Sequence, residues 1–194
     1  MKILLFLAKG FEMTEASGFI DVFGWDKHYN KGQIDVVTCG FTREVISTFN
    51  IPIRTDLLID EVNVEDYVAL AIPGGFGEYG FYQEAYDEGF LNLINEFNAA
   101  NKPIATVCVG SLPVGKSGAL KGRRGTAYHL AGGNKQRQLE EMGVTVIKDE
   151  AIVVDGNIIS SWCPETAIEV AFKLLEMLTS KDHCKNTRMN MGFR

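Results

Sequence analysis

The chain has 194 residues, 46% of them hydrophobic and 23% charged, with a formal net charge of −6. That composition predicts one soluble globular domain over 1–180, large enough for a sizeable core, followed by a polar C-terminal tail over 181–194. The acidic balance and the lack of a dense basic patch exclude nucleic acid as a partner, and no apolar run is long enough to cross a membrane.

The opening run Met1-Lys2-Ile3-Leu4-Leu5-Phe6-Leu7-Ala8 is too short for a signal peptide and passes directly into Lys9-Gly10. It reads as a buried strand over 2–8. Cys39, Cys108, Cys163 and Cys184 are scattered, with no C-x-x-C pair. The expectation is free thiols in a reducing cytoplasm and no metal site.

Strand and helix patterns then alternate. Residues 13–25 carry apolar side chains at helical spacing, with Thr14 or Glu12 as the cap. A strand follows over 33–39, then a hairpin excursion over 43–59 around Asn50-Ile51-Pro52. The apolar strand over 67–72 stops at Pro73-Gly74-Gly75, and Phe90, Leu91, Ile94 and Phe97 mark the buried stripe of a helix over 87–100. The strand over 103–108 ends abruptly in Cys108, before a short helix to about Ser117.

Further strands are predicted over 125–128, 144–147, 151–154 and 157–161, with Asp155-Gly156 as a hairpin turn between the last two. Helices are predicted over 135–142 and 165–178, and the tail from Thr179 reads as a surface extension. This alternation predicts a three-layer α/β/α sandwich on a mainly parallel sheet with right-handed crossovers. Ligands of such sheets bind outside the carboxyl ends of the strands. Ala8-Lys9-Gly10, Pro73-Gly74-Gly75 and Val107-Cys108-Val109 should therefore converge on one crevice.

Cys108 is the leading candidate for chemistry. A buried structural cysteine is the plain alternative, but a strand-to-helix turn is where a nucleophile elbow sits, and a helix N-terminus lowers a thiol pKa. Gly74-Gly75 serve at least as a tight turn. The Gly75 amide could also pair with the Val109 amide as an oxyanion hole. Glu12 and Glu15 both lie just beyond the first strand; either could be a surface charge or reach Cys108, and spacing from Gly10 favours Glu15. A carboxyl buried beside a thiolate takes up a proton and can act as general acid or base.

His129 follows Tyr128 and is the one histidine placed for a Cys–His pair, His28 and His183 lying elsewhere. Its plain reading is an exposed polar residue. Cys163 stands before Pro164 at another strand-to-helix junction and is a candidate lining residue of the same crevice; Cys39 and Cys184 read as incidental.

In order and spacing, these motifs resemble the ThiJ/PfpI superfamily, also called the DJ-one family, a class I glutamine amidotransferase-like, flavodoxin-like fold. The resemblance rests on Leu7–Glu15 with Asp21-Val22-Phe23, on Ile72-Pro73-Gly74-Gly75, and on Ala105–Gly110. It continues through Gly118–Thr126 and Val153–Asn157. It implies Cys108 as an oxidation-sensitive nucleophile, Glu15 as its protonated partner, and Gly75 and Val109 as backbone donors. Three positions depart from it. The protease-like branch has a histidine directly after the cysteine, where this chain has Val109. Where another branch has its histidine this chain has Tyr128, with His129 one residue on. Where an arginine commonly precedes Gly-Pro, this chain has Trp162 followed by Cys163-Pro164.

The resemblance implies a homodimeric enzyme acting on small reactive carbonyls, glyoxalase- or deglycase-like and without a cofactor. The alternatives are an oxidative-stress sensor or chaperone-like protein acting through Cys108 oxidation, a cysteine hydrolase or amidase, or an isocyanide hydratase-like enzyme.

Overall fold

The computed structural model describes residues 1–193. In chain order the elements are β1 Lys2–Phe6, α1 Met13–Tyr29, β2 Asp35–Gly40, β3 Glu44–Ile46, β4 Pro52–Arg54, β5 Leu57–Leu58 and β6 Ala69–Ile72. Then come α2 Phe81–Ala85, α3 Glu88–Ala99, β7 Ile104–Thr106, α4 Ser111–Lys116, β8 Arg124–Gly125, α5 Leu130–Glu141 and β9 Thr145–Val146. The chain closes with β10 Ile152–Asp155, β11 Ile158–Ser161, α6 Ala167–Leu178 and α7 Lys181–Asn190.

Seven strands form the main sheet in the order β10-β11-β7-β6-β1-β2-β5, parallel throughout except for the β10–β11 hairpin. The apolar run Ile3 to Ala8 is wholly buried, as a strand covered on both faces requires. From β1 the chain crosses to β2 on one side, and from β6 to β7 on the other. With right-handed crossovers this sends α1 and α3 to opposite faces. α6 packs along α1, and α4 and α5 continue the layer of α3. The reversal between β1 and β6 is the switch point at which such sheets open a crevice.

Local structure departs from the sequence reading at four places. α1 runs four residues past Trp25, to Tyr29. β3 and β4 form the expected hairpin, but β5 joins the main sheet beside β2. The strand over 125–128 shrinks to β8, which pairs with β9 in a separate ribbon, because the Thr126 N–H donates to the Ser160 hydroxyl at 2.9 Å instead.

The fourth departure is the C-terminus. Where a surface extension was expected over 181–194, α7 forms and packs against α1 and α6. Buried Asp26 of α1 accepts from the Thr187 hydroxyl at 2.6 Å and from Asn30 Nδ2 at 3.1 Å. His183 Nε2 stands 2.7 Å from the same carboxylate. Cys184, expected to be incidental, is buried and donates its S–H to the Phe172 carbonyl at 3.2 Å. Arg194 lies outside the described residues.

Candidate active site

The three strand ends meet. Gly10 O accepts from the Phe76 N–H at 3.0 Å, and Gly74 O accepts from the Glu12 N–H at 2.9 Å. Together these form a two-bond bridge between Phe11 and Gly75. A cleft of about 650 Å³ opens beside it, lined by Glu15, Gly75, Cys108, Val109 and Tyr128 among the expected residues.

Cys108 follows β7 at φ 56°, in the left-handed region that a residue with a Cβ rarely adopts. The turn is held by Ser111, whose hydroxyl donates to the Cys108 carbonyl at 3.1 Å. The strain fits a nucleophile elbow, which turns the side chain out of the strand line and into the crevice. The thiol is only 8% exposed. Burial first, and then the charge of Glu15, push it up, against a downward pull from the Val109 N–H. The sequence expectation of a thiol lowered by a helix N-terminus is thereby corrected. α4 is only six residues long and the sulfur lies deep.

The two glutamates separate cleanly. Glu12 caps α1, its Oε2 accepting from the Glu15 N–H at 2.9 Å. Glu15 is 1% exposed, and its Oε2 accepts from the Gly74 N–H at 2.5 Å. Its Oε1 makes no hydrogen bond. Burial raises the Glu15 pKa from 4.5 to about 8, against the Gly74 hydrogen bond, with the Glu12 charge adding to the rise. At neutral pH this side chain is a carboxylic acid beside the Cys108 thiol.

Glycine is required at both loop positions. A Cβ on Gly74 would stand 2.9 Å from Glu15 Oε2 and 3.0 Å from the Val109 nitrogen, filling the gap between acid and amide. A Cβ on Gly75 would stand 2.3 Å from the Gly10 carbonyl oxygen, which the bridge holds in place.

His129 makes its contact elsewhere. Its Nδ1 lies 3.4 Å from the Cys163 sulfur, and its ring packs against Trp162, tilted at 41° with centroids 4.3 Å apart. The structure thus gathers His129, Trp162 and Cys163 into a second cluster, adjoining the cleft through Pro164. Burial, with the Glu165 charge adding to it, pushes the Cys163 thiol up to about 11. The sequence reading missed Phe76, Tyr82 and Lys135 in the cleft wall. Phe76 was legible as the residue after Gly74-Gly75. Tyr82 belongs to the short α2, too brief for a periodic pattern, and Lys135 Nζ sits 4.6 Å over its ring.

Comparison with known proteins agrees with this architecture. A deglycase, PfpI of Pyrococcus furiosus, is 31% identical over 165 residues, covering 84% of this chain and 91% of its own. Protein DJ-1 homolog B of Arabidopsis thaliana is 28% identical over 182 residues, 93% of this chain but only 39% of that relative's length. The crystal structure of Drosophila melanogaster DJ-1beta matches with a TM-score of 0.86 at 24% identity, covering 100% of this chain and 98% of that one. Schizosaccharomyces pombe DJ-1 matches at 0.84 and 25%, covering 100% of both chains. The DJ-1/PfpI family model spans residues 1–177, from the first strand through the elbow to the last sheet-packing helix, and the chain belongs to that family.

Proposed function

We propose that the protein is a cysteine enzyme acting on small reactive carbonyls, 2-oxoaldehydes such as methylglyoxal, with Cys108 as nucleophile and Glu15 as proton shuttle. One observation carries the proposal. A fully buried carboxyl stands beside the elbow thiol with one oxygen anchored on Gly74 and the other unpaired, where burial favours its protonated form. The name of the Pyrococcus furiosus relative, a deglycase, supports the substrate class.

In this reading Cys108 sulfur adds to the aldehyde carbon, forming the S–C bond, and the thiol proton reaches the carbonyl oxygen through Glu15. The Gly75 and Val109 amides hold the oxygen as its charge develops. Glu15 then gives its proton to the ketone oxygen and, as carboxylate, takes the C–H proton of the thiohemiacetal carbon. It returns that proton to the former ketone carbon as the first hydroxyl gives its own proton back to Glu15, leaving a 2-hydroxyacyl thioester and the carboxylic acid. Water releases this as the 2-hydroxy acid and restores the thiol. The sequence is redox-neutral overall, an aldehyde being oxidised as its ketone neighbour is reduced. The aromatic walls Phe76, Tyr82 and Tyr128 suit a small, partly apolar substrate. Exposed Ile20, Trp25 and Tyr29 on α1 support pairing of two copies.

The test is methylglyoxal turnover to lactate. Native protein should turn it over, and Cys108→Ser should lower kcat/KM to background. Equal rates for the two would remove Cys108 from the chemistry.

A further inference from the structure

A second thiol borders the cleft that holds the first. β7 and β11 are parallel neighbours with Ala105 opposite Ile159. β7 ends at Thr106 and β11 at Ser161, so Cys108 and Cys163 each stand two residues past the end of adjacent strands. Neighbouring strands lie about 4.7–4.9 Å apart, within the Cα separation that a disulfide spans. The two ends are tied together by the Ser161 hydroxyl, which donates to the Thr106 carbonyl at 3.4 Å. Cys108 lines the cleft directly, and Cys163 immediately precedes Pro164, which lines it too. The Cys163 backbone is fixed by its carbonyl, which accepts from the Thr166 N–H at 3.0 Å and the Thr166 hydroxyl at 2.8 Å. Its sulfur has a base at hand in His129 Nδ1, 3.4 Å away, and Trp162 packs against that ring.

We propose that Cys163 is the resolving thiol for Cys108: a hydroperoxide oxidises Cys108 to the sulfenic acid, and Cys163 captures it as an intramolecular disulfide with His129 taking the proton. This rests on the reading of Cys108 as the reactive thiol. In the first step the Cys108 sulfur attacks one peroxide oxygen while its thiol proton passes to the other, leaving oxygen. An S–O bond forms, the O–O bond breaks, and the alcohol or water leaves. The sulfur loses two electrons and the peroxide gains them. In the second step the Cys163 thiol gives its proton to His129 and its sulfur attacks Cys108 sulfur. The S–S bond forms as the S–O bond breaks, and the departing hydroxide takes the His129 proton and leaves as water.

The consequence is protection. Without a resolving thiol, a sulfenic acid in an accessible cleft is carried on to the irreversible sulfinic acid. With one, it stops at a disulfide that a dithiol reverses. Burial pushes Cys163 up to about 11, so its attack depends on a base, and this assigns His129 a role here rather than on Cys108. Cys39, fully buried and with no partner of this kind, serves as the internal control.

The experiment treats native full-length protein with about one equivalent of hydrogen peroxide, blocks free thiols, and maps peptides by mass spectrometry without reduction. The expected result is a Cys108–Cys163 linked pair that dithiothreitol releases, with Cys39 still alkylated. Cys163→Ser should instead accumulate Cys108 sulfinic acid. His129→Asn should slow disulfide closure on the order of 10²-fold at neutral pH, the scale of a lost general base. Sulfinic acid at Cys108 in native protein, with Cys163 left free, would overturn the inference while leaving Cys108 reactive. No oxidation at Cys108 beyond that at Cys39 would overturn both the inference and the proposed function.

Discussion

Glu15 is the residue on which the chemistry turns. Its folded-state pKa of about 8 against 4.5 in the unfolded chain has a definite thermodynamic sign. The folded state holds the proton more tightly, so the stability contributed by the protonated form is full below pH 4.5. It is drawn down as pH rises and is gone once the folded group has titrated, above about 8. Each pKa unit is worth about 1.4 kcal/mol, so the loss across this window is several kcal/mol. Glu15→Gln, which cannot ionise, should gain stability relative to native protein as pH rises from 4.5 to 8, then hold a constant margin. Denaturant melts of both proteins at a series of pH values measure this, and parallel stability curves would contradict it.

Gly75 gives a second prediction at this scale. A Cβ there meets a backbone carbonyl oxygen at 2.3 Å, and neither side can rotate away. Gly75→Ala should cost about 1–3 kcal/mol by overpacking, read as a lower unfolding midpoint. Any displacement of the loop would also move the Gly75 amide and lower kcat.

Among the elements, α7 shows how a helix can escape sequence reading. Its buried positions are Cys184 and Thr187, so no broad apolar stripe announces it. What holds it is polar: the Thr187 hydroxyl and His183 converge on Asp26, a carboxylate 1% exposed on α1. Removing one partner of a buried carboxylate costs about 1–3 kcal/mol. Thr187→Val should therefore accelerate amide hydrogen exchange through 181–190 while leaving β1 and β6 protected. Unchanged exchange in α7 would show that the helix is held by packing alone.

The segment from β8 into the first turn of α5 was misread for a related reason. Its backbone serves side chains rather than a ladder: the Thr126 N–H goes to Ser160, and Ala131, Gly132 and Gly133 all take positive φ before regular helix begins. Periodicity does not encode such turns. His129 sits at this joint, and its turn toward Cys163 depended on a backbone path that residue order alone could not supply.

At the scale of the whole molecule, the alternation of strand and helix carried the sheet. It also placed the crevice, since Gly10, Gly75 and Cys108 each close a parallel strand, and the switch point gathers those ends. Glu15 was reachable because α1 is the first helix after β1 and its first turn follows the Gly10 loop at that strand's end. Burial depth was not legible. Nothing in the residue order told how far Cys108 and Glu15 sink from water, and that depth inverts the expected pKa of the thiol and creates that of the acid. No helix among the described residues is long and apolar enough to cross a membrane. The acid–thiol pair draws its low-dielectric surroundings from burial within the protein's own sheet and loops.

The protonation state of Glu15 tests this account most directly. Its carboxyl stretch can be isolated as the infrared difference between native protein and Glu15→Gln and followed across pH. The account predicts a protonated band that persists at neutrality and titrates with a midpoint near 8. A band already lost by pH 6, with a midpoint near the ordinary 4.5, would contradict it, because a carboxylate beside Cys108 could neither donate a proton nor spare the thiol its repulsion.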